Sequence, residues 1–583
     1  MLTRGLTVRQ LLLIVVFIFI SGCSSKTADH TDVTIYRAQT ILTMNEAQPQ
    51  AQAIAVRGDK IVGVGSTAQL RADFKGAVID ETFQDKTIVP GLIDPHIHMI
   101  LGAMMYAKPF APPWDVETPK GTIKGLPDRE SFLTRIAEIE RAHAGAKPLV
   151  IYGYHNLVHG ALSRHDLDKI TSARPLIIWH YSGHDFYLNS KALAYAKVDA
   201  SWAEKFEGVP LGKDGLPTGR VYEDAVFDFL TNVGPLFLGP VDIQRGFDGL
   251  ENMFAQSGVT AVAEMGYGLF GVGLEDSYYK ALLGKDARTK IYLVPEHRAF
   301  THEFGDDVIP TIFTMVEDTK DTWPRVLPQI KLFTDAAFYS QTMRLKDPGY
   351  TGGQSKGHKG LWVMGPDVLA DIMRPYWQAG LDIHIHSNGD AAQDATLDAF
   401  AAVQSTNAKE GQRLVIEHGG LIRPAQIVRA KELGIGLSVA SHYVYYMGEI
   451  YEDAIGERVK YMTPLASSIK AGLPTTMHSD APLAPPSPLT AASVHMTRAT
   501  WQGGVSTPSE KLTATQALRA ITLDAAWSLG LEDEIGSLEI GKQADFTILG
   551  ANPLETKPED WPNIEIWGVI LDGVKHPLGD AHE

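Results

Sequence analysis

Cysteine is almost missing from this chain: 583 residues contain one, Cys23. No disulfide framework can staple the fold, so stability must come from a conventional core. Positive charge is also scarce, with 52 Lys and Arg against 69 Asp and Glu, a net charge of −17. No basic cluster with interleaved aromatics occurs, which argues against a nucleic-acid partner. No apolar run approaches the roughly 20 residues that a membrane-spanning helix needs; the longest unbroken one is Leu11 to Ile20. Internal repeats and low-complexity stretches are absent as well. What remains is globular composition, 44% hydrophobic and 21% charged, in a chain too long for one simple core. A barrel with appendages is the natural expectation.

The short apolar run has the makings of an export signal. Arg4 and Arg9 precede it, and Ser21, Gly22 and Cys23 follow. Phe19-Ile20-Ser21-Gly22-Cys23 resembles a bacterial lipobox, which implies a signal peptide over residues 1–22, lipid on Cys23 and a polar tether over 23–31. Ser24, by the same resemblance, implies the outer membrane of a Gram-negative cell, with the protein facing the periplasm. A short N-terminal membrane anchor is the alternative.

Residues 32–90 and 531–583 carry alternating strand patterns with turns at Arg57-Gly58-Asp59, Gly541 and Gly573. Their separation in sequence predicts one discontinuous small β-sandwich domain built from both termini. Between them, residues 91–530 alternate apolar runs with helical patterns. Eight runs start at or near Asp94, Thr260, Lys290, Gln329, Leu381, Arg413, Ile435 and Pro474. Eight is the count for an α/β fold of the (β/α)8 TIM-barrel type, here distorted by an insertion subdomain over about 101–250 that leans over the mouth. Almost every run ends in an ionisable residue: His98, Glu264, His297, Asp335, His386, His418, His442, Asp480. Active sites of such barrels lie at that rim. Thr513 and Gln516 form a capping box for a last helix with an inward stripe of Leu518, Ile521, Ala525 and Leu529, stopped by Gly530.

Alternate residues of a strand share a face, so Asp94, His96 and His98 project together and offer two imidazoles to a common point. Lys331 sits between Ile330 and Leu332 in a strand covered on both faces, where an unpaired ammonium would tend to neutralise. A neutral amine there can form a carbamate with carbon dioxide; an ion pair with Asp335 or Glu264 is the alternative. His386 is nearer its strand end than His384, which would act behind it. Glu417 and His418 point opposite ways on one strand, leaving the imidazole as the ligand candidate. Asp480 can bind a cation and accept a proton from the water that the cation acidifies, or else cap a helix. Imidazole, carbamate and carboxylate donors together suit one or two divalent metal ions such as Zn²⁺.

In order, PGLIDPHIH, SGHDFYLNSKAL, KLFTD, HSNGDAA, VIEH, HSDAPLAPPSPL and the segment from Ala517 to Leu549 resemble the amidohydrolase superfamily, and within it the branch of D-aminoacylases and N-substituted formamide deformylases. The resemblance covers about Asp32 to Pro577. It implies that His96 and His98 bind one metal, His386 and His418 a second, Lys331 bridges them in carboxylated form, and Asp480 is the general acid/base. It places His184 and Asn189 at the substrate site. The chain departs from the branch at His478, where relatives usually have glycine; this residue could orient Asp480 or crowd the metal site. A second departure is Ala336, where glycine is common. The implied activity is hydrolysis of a non-peptide C–N bond in an N-acyl, N-formyl or related amide. Lactone or ester hydrolysis, deamination, and a non-enzymatic ligand-binding barrel are the rivals. Trp114, Trp179, Phe186, Tyr339, Tyr443 and Tyr445 near the rim suggest an apolar substituent on a small-molecule substrate. Beyond the membrane contact through Cys23, the one partner left open is a second copy in a homodimer.

Overall fold

A computed structural model describes residues 32–143, 145–283, 288–407 and 411–579. The export signal, Cys23 and the tether lie outside the described residues. All eight apolar runs of the central region are strands. They are β1 (Leu92–Ile97), β2 (Val259–Tyr267), β3 (Lys290–Pro295), β4 (Gln329–Phe333), β5 (Asp382–Ser387), β6 (Leu414–His418), β7 (Gly436–Ala440) and β8 (Thr475–His478). Each reads as a near-continuous apolar run because both faces are covered, inward by the barrel interior and outward by helices. Strands β1 to β3 belong to one parallel sheet and β4 to β8 to another. Isolated parallel bridges, Glu296 to Lys331 and Ile97 to Ala481, link the two sheets. The result is a barrel-type α/β architecture with auxiliary sheets.

The two ends of the chain meet. Their seven strands form one hydrogen-bonded sheet, in which Phe546–Leu549 pairs antiparallel with Val78–Pro90. Val33–Leu42 adds to the other edge of Val78–Pro90 in parallel. Alternation along these strands supplies apolar residues to both faces, and each face has its own cluster. Ile54, Phe83, Ile88, Phe546 and Ile548 pack in one; Val33, Ile35, Ala53 and Leu70 pack in the other. The two halves of this sheet touch across the domain, where the Tyr36 hydroxyl donates to Gly573 O at 3.2 Å.

The last helix differs from expectation. The capping box at Thr513 and Gln516 is present, yet the helix breaks into Ala514–Ala520 and Leu523–Ser528. Two carbonyls at the break are claimed by the barrel: Ile521 O accepts Ile93 N at 3.0 Å, and Ala520 O accepts the Thr476 hydroxyl at 2.6 Å. Tertiary hydrogen bonds outcompete helix continuation there.

The insertion carries its own four-stranded sheet, ordered Arg220–Tyr222, Asp185–Leu188, Leu176–His180, Leu149–Tyr154. It is tied to the loops at the barrel mouth by Tyr181 OH to Leu483 O at 2.6 Å and by Asn156 Nδ2 to Gln341 Oε1 at 2.8 Å. Among the described residues no single helix is long and apolar enough to cross a membrane.

At the opposite end, Lys290 at the start of β3 fastens the barrel to the terminal sheet. Its ammonium reaches Asp545 at 2.7 Å and Asp572 at 2.6 Å, with Lys290 and Asp545 both buried. Removing one member of a buried pair leaves the other charge uncompensated, at a cost of about 3–5 kcal/mol. Lys290→Ala should lower the free energy of chemical unfolding by that amount; a loss under about 1 kcal/mol would contradict the role given to this pair.

Candidate metal centre

Two carboxylates set the orientation of the histidines on β1. His96 Nδ1 lies 2.7 Å from Glu417 Oε2, and His98 Nδ1 lies 3.0 Å from Glu264 Oε1. A carboxylate accepts, so each Nδ1 donates, and each Nε2 is left with its lone pair facing away. Both lone pairs point to one place: His98 Nε2 is 3.4 Å and His96 Nε2 is 3.6 Å from Asp480 Oδ1. From β6, His418 Nδ1 stands 3.7 Å from Asp480 Oδ2. Two ligands on one tetrahedral cation, each at about 2.1 Å, are separated by about 3.4 Å. His96, His98 and Asp480 have the spacing of one coordination shell, whereas His418 approaches the other Asp480 oxygen and groups with His96 and His478. His96 Nε2 and His418 Nδ1 are buried and have no hydrogen-bond partner, a cost that a cation would remove. The donor set fits a divalent metal.

Glu417 does more than its place in sequence suggests. Alternation along β6 assigns it to the outer face if His418 faces inward. In the structure both face the interior, because His418 has φ of +72°. This left-handed turn at the strand end rotates His418 back to the side that Glu417 already occupies, at a cost of about 1–2 kcal/mol. Glu417 then bridges two histidines, His96 and, at 2.6 Å, His384 Nδ1. Burial opposes its ionisation, but the hydrogen bond from His384 and the Lys331 charge bring its pKa down to about 2. Asp480 is likewise left-handed, with φ of +54°. Its backbone N–H donates to His96 O, so β1 positions it directly; it caps no helix.

Asp94 does not join the metal ring. It accepts from the Ser479 backbone N–H at 3.1 Å and from the Ser479 hydroxyl, fixing the residue beside Asp480. Burial pushes its carboxyl up to about 7, and the Asp480 charge adds to this. Glu264 is held by the backbone N–H groups of Met99 and Gly266 as well as by His98. A Cβ on Gly266 would stand 3.1 Å from His98 Nδ1, so only glycine leaves this contact open.

Lys331 is fully buried on β4 and lines the same cavity. Neither Asp335 nor Glu264 pairs with it; its Nζ has no hydrogen-bond partner, and burial pulls its pKa down to about 8 against the pull of Glu417. Asp335 instead accepts from the backbone of Arg344, Asn388 and Gly389. His386 lines the cavity with Nε2 near Asn388 Nδ2 at 2.9 Å and Ala336 O at 3.2 Å. His478 lies among these imidazoles, its ring centroid 4.4 Å from that of His96.

The cavity above the centre holds about 940 Å³. His184 enters it from the insertion, its Nδ1 3.1 Å from Glu223. Burial disfavours the imidazolium, and Glu223 outweighs that and raises the pKa. Glu223, which no sequence pattern singled out, also accepts from Thr342 of a mouth loop at 2.6 Å. Asn189 is not brought to the cavity. It is a buried helix cap whose side chain bonds the backbone of Leu176, Ala192, Thr171 and Arg174, so no group is left for a substrate. Of the aromatics noted in sequence, Trp179, Tyr339 and Tyr443 line the cavity, joined by Phe227 and Phe270.

The amidohydrolase family profile matches residues 83–575. N-substituted formamide deformylase of Arthrobacter pascens is 25% identical over 568 residues, covering 93% of this chain and 98% of the relative. Protein LONG AFTER FAR-RED 3 of Arabidopsis thaliana is 26% identical over 539 residues, 89% of this chain and 88% of that protein. Among solved structures, an uncharacterized metal-dependent hydrolase from Pyrococcus horikoshii OT3 superposes with a TM-score of 0.65 at 21% identity, covering 90% of this chain and 99% of the other. That likeness is one of fold.

Loss of a carboxylate that orients a metal-binding imidazole lowers affinity about 10–100-fold. Glu417→Gln should weaken binding of Zn²⁺ by that factor in a chelator-competition titration. Unchanged affinity would show that Glu417 does not orient the ligands.

Proposed function

This chain belongs to the amidohydrolase family, and from that premise we propose that it hydrolyses a non-peptide C–N bond, in an N-acyl, N-formyl or related amide. Family membership and the His/Asp cluster support the broader statement, a metal-dependent hydrolase acting on non-peptide C–N or C–O bonds. The observation that carries the proposal is the convergence of His96, His98 and His418 on Asp480 at the floor of a cavity large enough for a small molecule.

A divalent cation held by His96, His98 and Asp480, with Zn²⁺ the best match to the donors, would polarise a carbonyl and acidify water. Proton traffic falls to Asp480. Burial works against its ionised form, but His98 foremost, with His442 and His478 behind, holds its pKa below the usual value, and a cation on His98 would act in the same sense. It is therefore a carboxylate at neutral pH, able to accept a proton from water and return it to the leaving nitrogen. His184, held by Glu223, is the group on the insertion side suited to bond the substrate. The aromatic and aliphatic wall (Trp179, Phe227, Phe270, Leu101, Met104) accommodates an apolar acyl or N-substituent.

Lys331 adds a second element. A buried amine with a lowered pKa attacks carbon dioxide, forming an N–C bond and releasing one proton; the carbamate oxygens would stand beside His386 as ligands for a second cation. With a lipid on Cys23, the enzyme would work at the periplasmic face of the outer membrane.

Asp480→Asn should reduce kcat about 10²–10⁴-fold while circular dichroism is unchanged. A panel of N-acyl, N-formyl, ester and lactone substrates should release amine rather than alcohol or ammonia. Retained activity in Asp480→Asn would contradict the general acid/base role, and alcohol release alone would move the assignment to a C–O bond.

A further inference from the structure

The barrel interior contains imidazoles beyond those in the ring around Asp480, His478 among them. His478 ends β8, is 1% exposed, and neither of its ring nitrogens has a hydrogen-bond partner. Its ring centroid lies 4.4 Å from that of His96 and 5.1 Å from that of His418. One nitrogen from each of these three residues falls within 4.8 Å of the other two, and all three residues are buried. His96, His98 and Asp480 meet the same spacing as a separate group.

His96 belongs to both groups, and it has one nitrogen to offer. Its Nδ1 is committed to Glu417 at 2.7 Å, which leaves Nε2. An imidazole nitrogen carries a single lone pair and binds one cation. The two groups are therefore alternatives. They differ in chemistry too: one offers three imidazoles and no carboxylate, the other two imidazoles and a carboxylate. Imidazole-only donors suit Cu²⁺ and Zn²⁺, whereas a carboxylate in the shell extends the range toward Mn²⁺.

We propose that His96, His418 and His478 form a second, deeper cation position that takes an imidazole-preferring divalent ion such as Cu²⁺ in place of, not alongside, the cation held with Asp480. A cation seated there draws His96 and His418 away from Asp480, so the occupant of the deep position decides whether the ring at the cavity floor can fill. The proposal rests on the reading of the barrel mouth as a metal centre.

Titrating metal-free full-length protein with CuCl2, followed by electron paramagnetic resonance, tests it. One Cu²⁺ per chain with hyperfine splitting from three nitrogens is expected. His478→Ala and His478→Gln should each weaken Cu²⁺ binding about 10-fold or more and remove one nitrogen from the spectrum. His98→Ala should leave the Cu²⁺ affinity and spectrum as in the unaltered protein. Three results overturn the proposal: a Cu²⁺ spectrum indifferent to both His478 substitutions, loss of the Cu²⁺ site in His98→Ala, or Mn²⁺ bound alongside Cu²⁺ with an affinity that His98→Ala lowers. If these occur while the protein still binds Mn²⁺ or Zn²⁺, the metal-centre reading survives; if it binds none of the three ions, that reading falls as well.

Discussion

One buried carboxylate, Glu417, governs the centre of this molecule. It receives a hydrogen bond from His96 of the first barrel strand and another from His384 of the fifth, joining parts of the chain nearly three hundred residues apart. Through the first bond it fixes the tautomer and ring orientation that turn His96 Nε2 toward Asp480. Through the second it holds β5 in step with β6. Glu264 does the same for His98. With both Nδ1 atoms committed, the remaining lone pairs have one direction available, and the convergence at Asp480 follows from these two acids rather than from the histidines themselves.

That dependence explains which parts of the site were legible in the sequence. The eight strands were, because a strand covered on both faces must be a short apolar run, and all eight runs are strands. The spacing of His96 and His98 and the burial of Lys331 follow from the same rule. Alternation failed where the backbone leaves the strand conformation. The left-handed turn at His418 puts both it and Glu417 inside, and the one at Asp480 aims the carboxylate at β1; no local sequence signal marks either. Asp94 was grouped with the histidines because it shares their parity, yet it serves Ser479. Asn189 was grouped by resemblance, yet its amide is used up in capping a helix. The terminal strands were legible as strands, but whether they make one sheet or two depends on pairings across hundreds of residues, such as Phe546 with Pro90.

The cavity is shared between the barrel strands and the insertion. Strand ends supply the clustered imidazoles and carboxylates of the candidate metal centre on a rigid frame, as a barrel rim does. The insertion supplies the opposite wall: Trp179, His184, Glu223 and Phe227. Glu223 is bound on one side to His184 and on the other to Thr342 of a mouth loop, so the wall is anchored to the barrel it covers. The strands furnish the clustered ionisable groups, and the insertion furnishes the facing wall.

The central claim is that His96, His98 and Asp480 surround a common cation. Anomalous diffraction from crystals grown with Zn²⁺, recorded on both sides of the zinc absorption edge, tests it most directly. The account predicts an anomalous peak at the barrel mouth within about 2.0–2.2 Å of His96 Nε2 and an Asp480 oxygen. A peak elsewhere, or none at these residues, would contradict it.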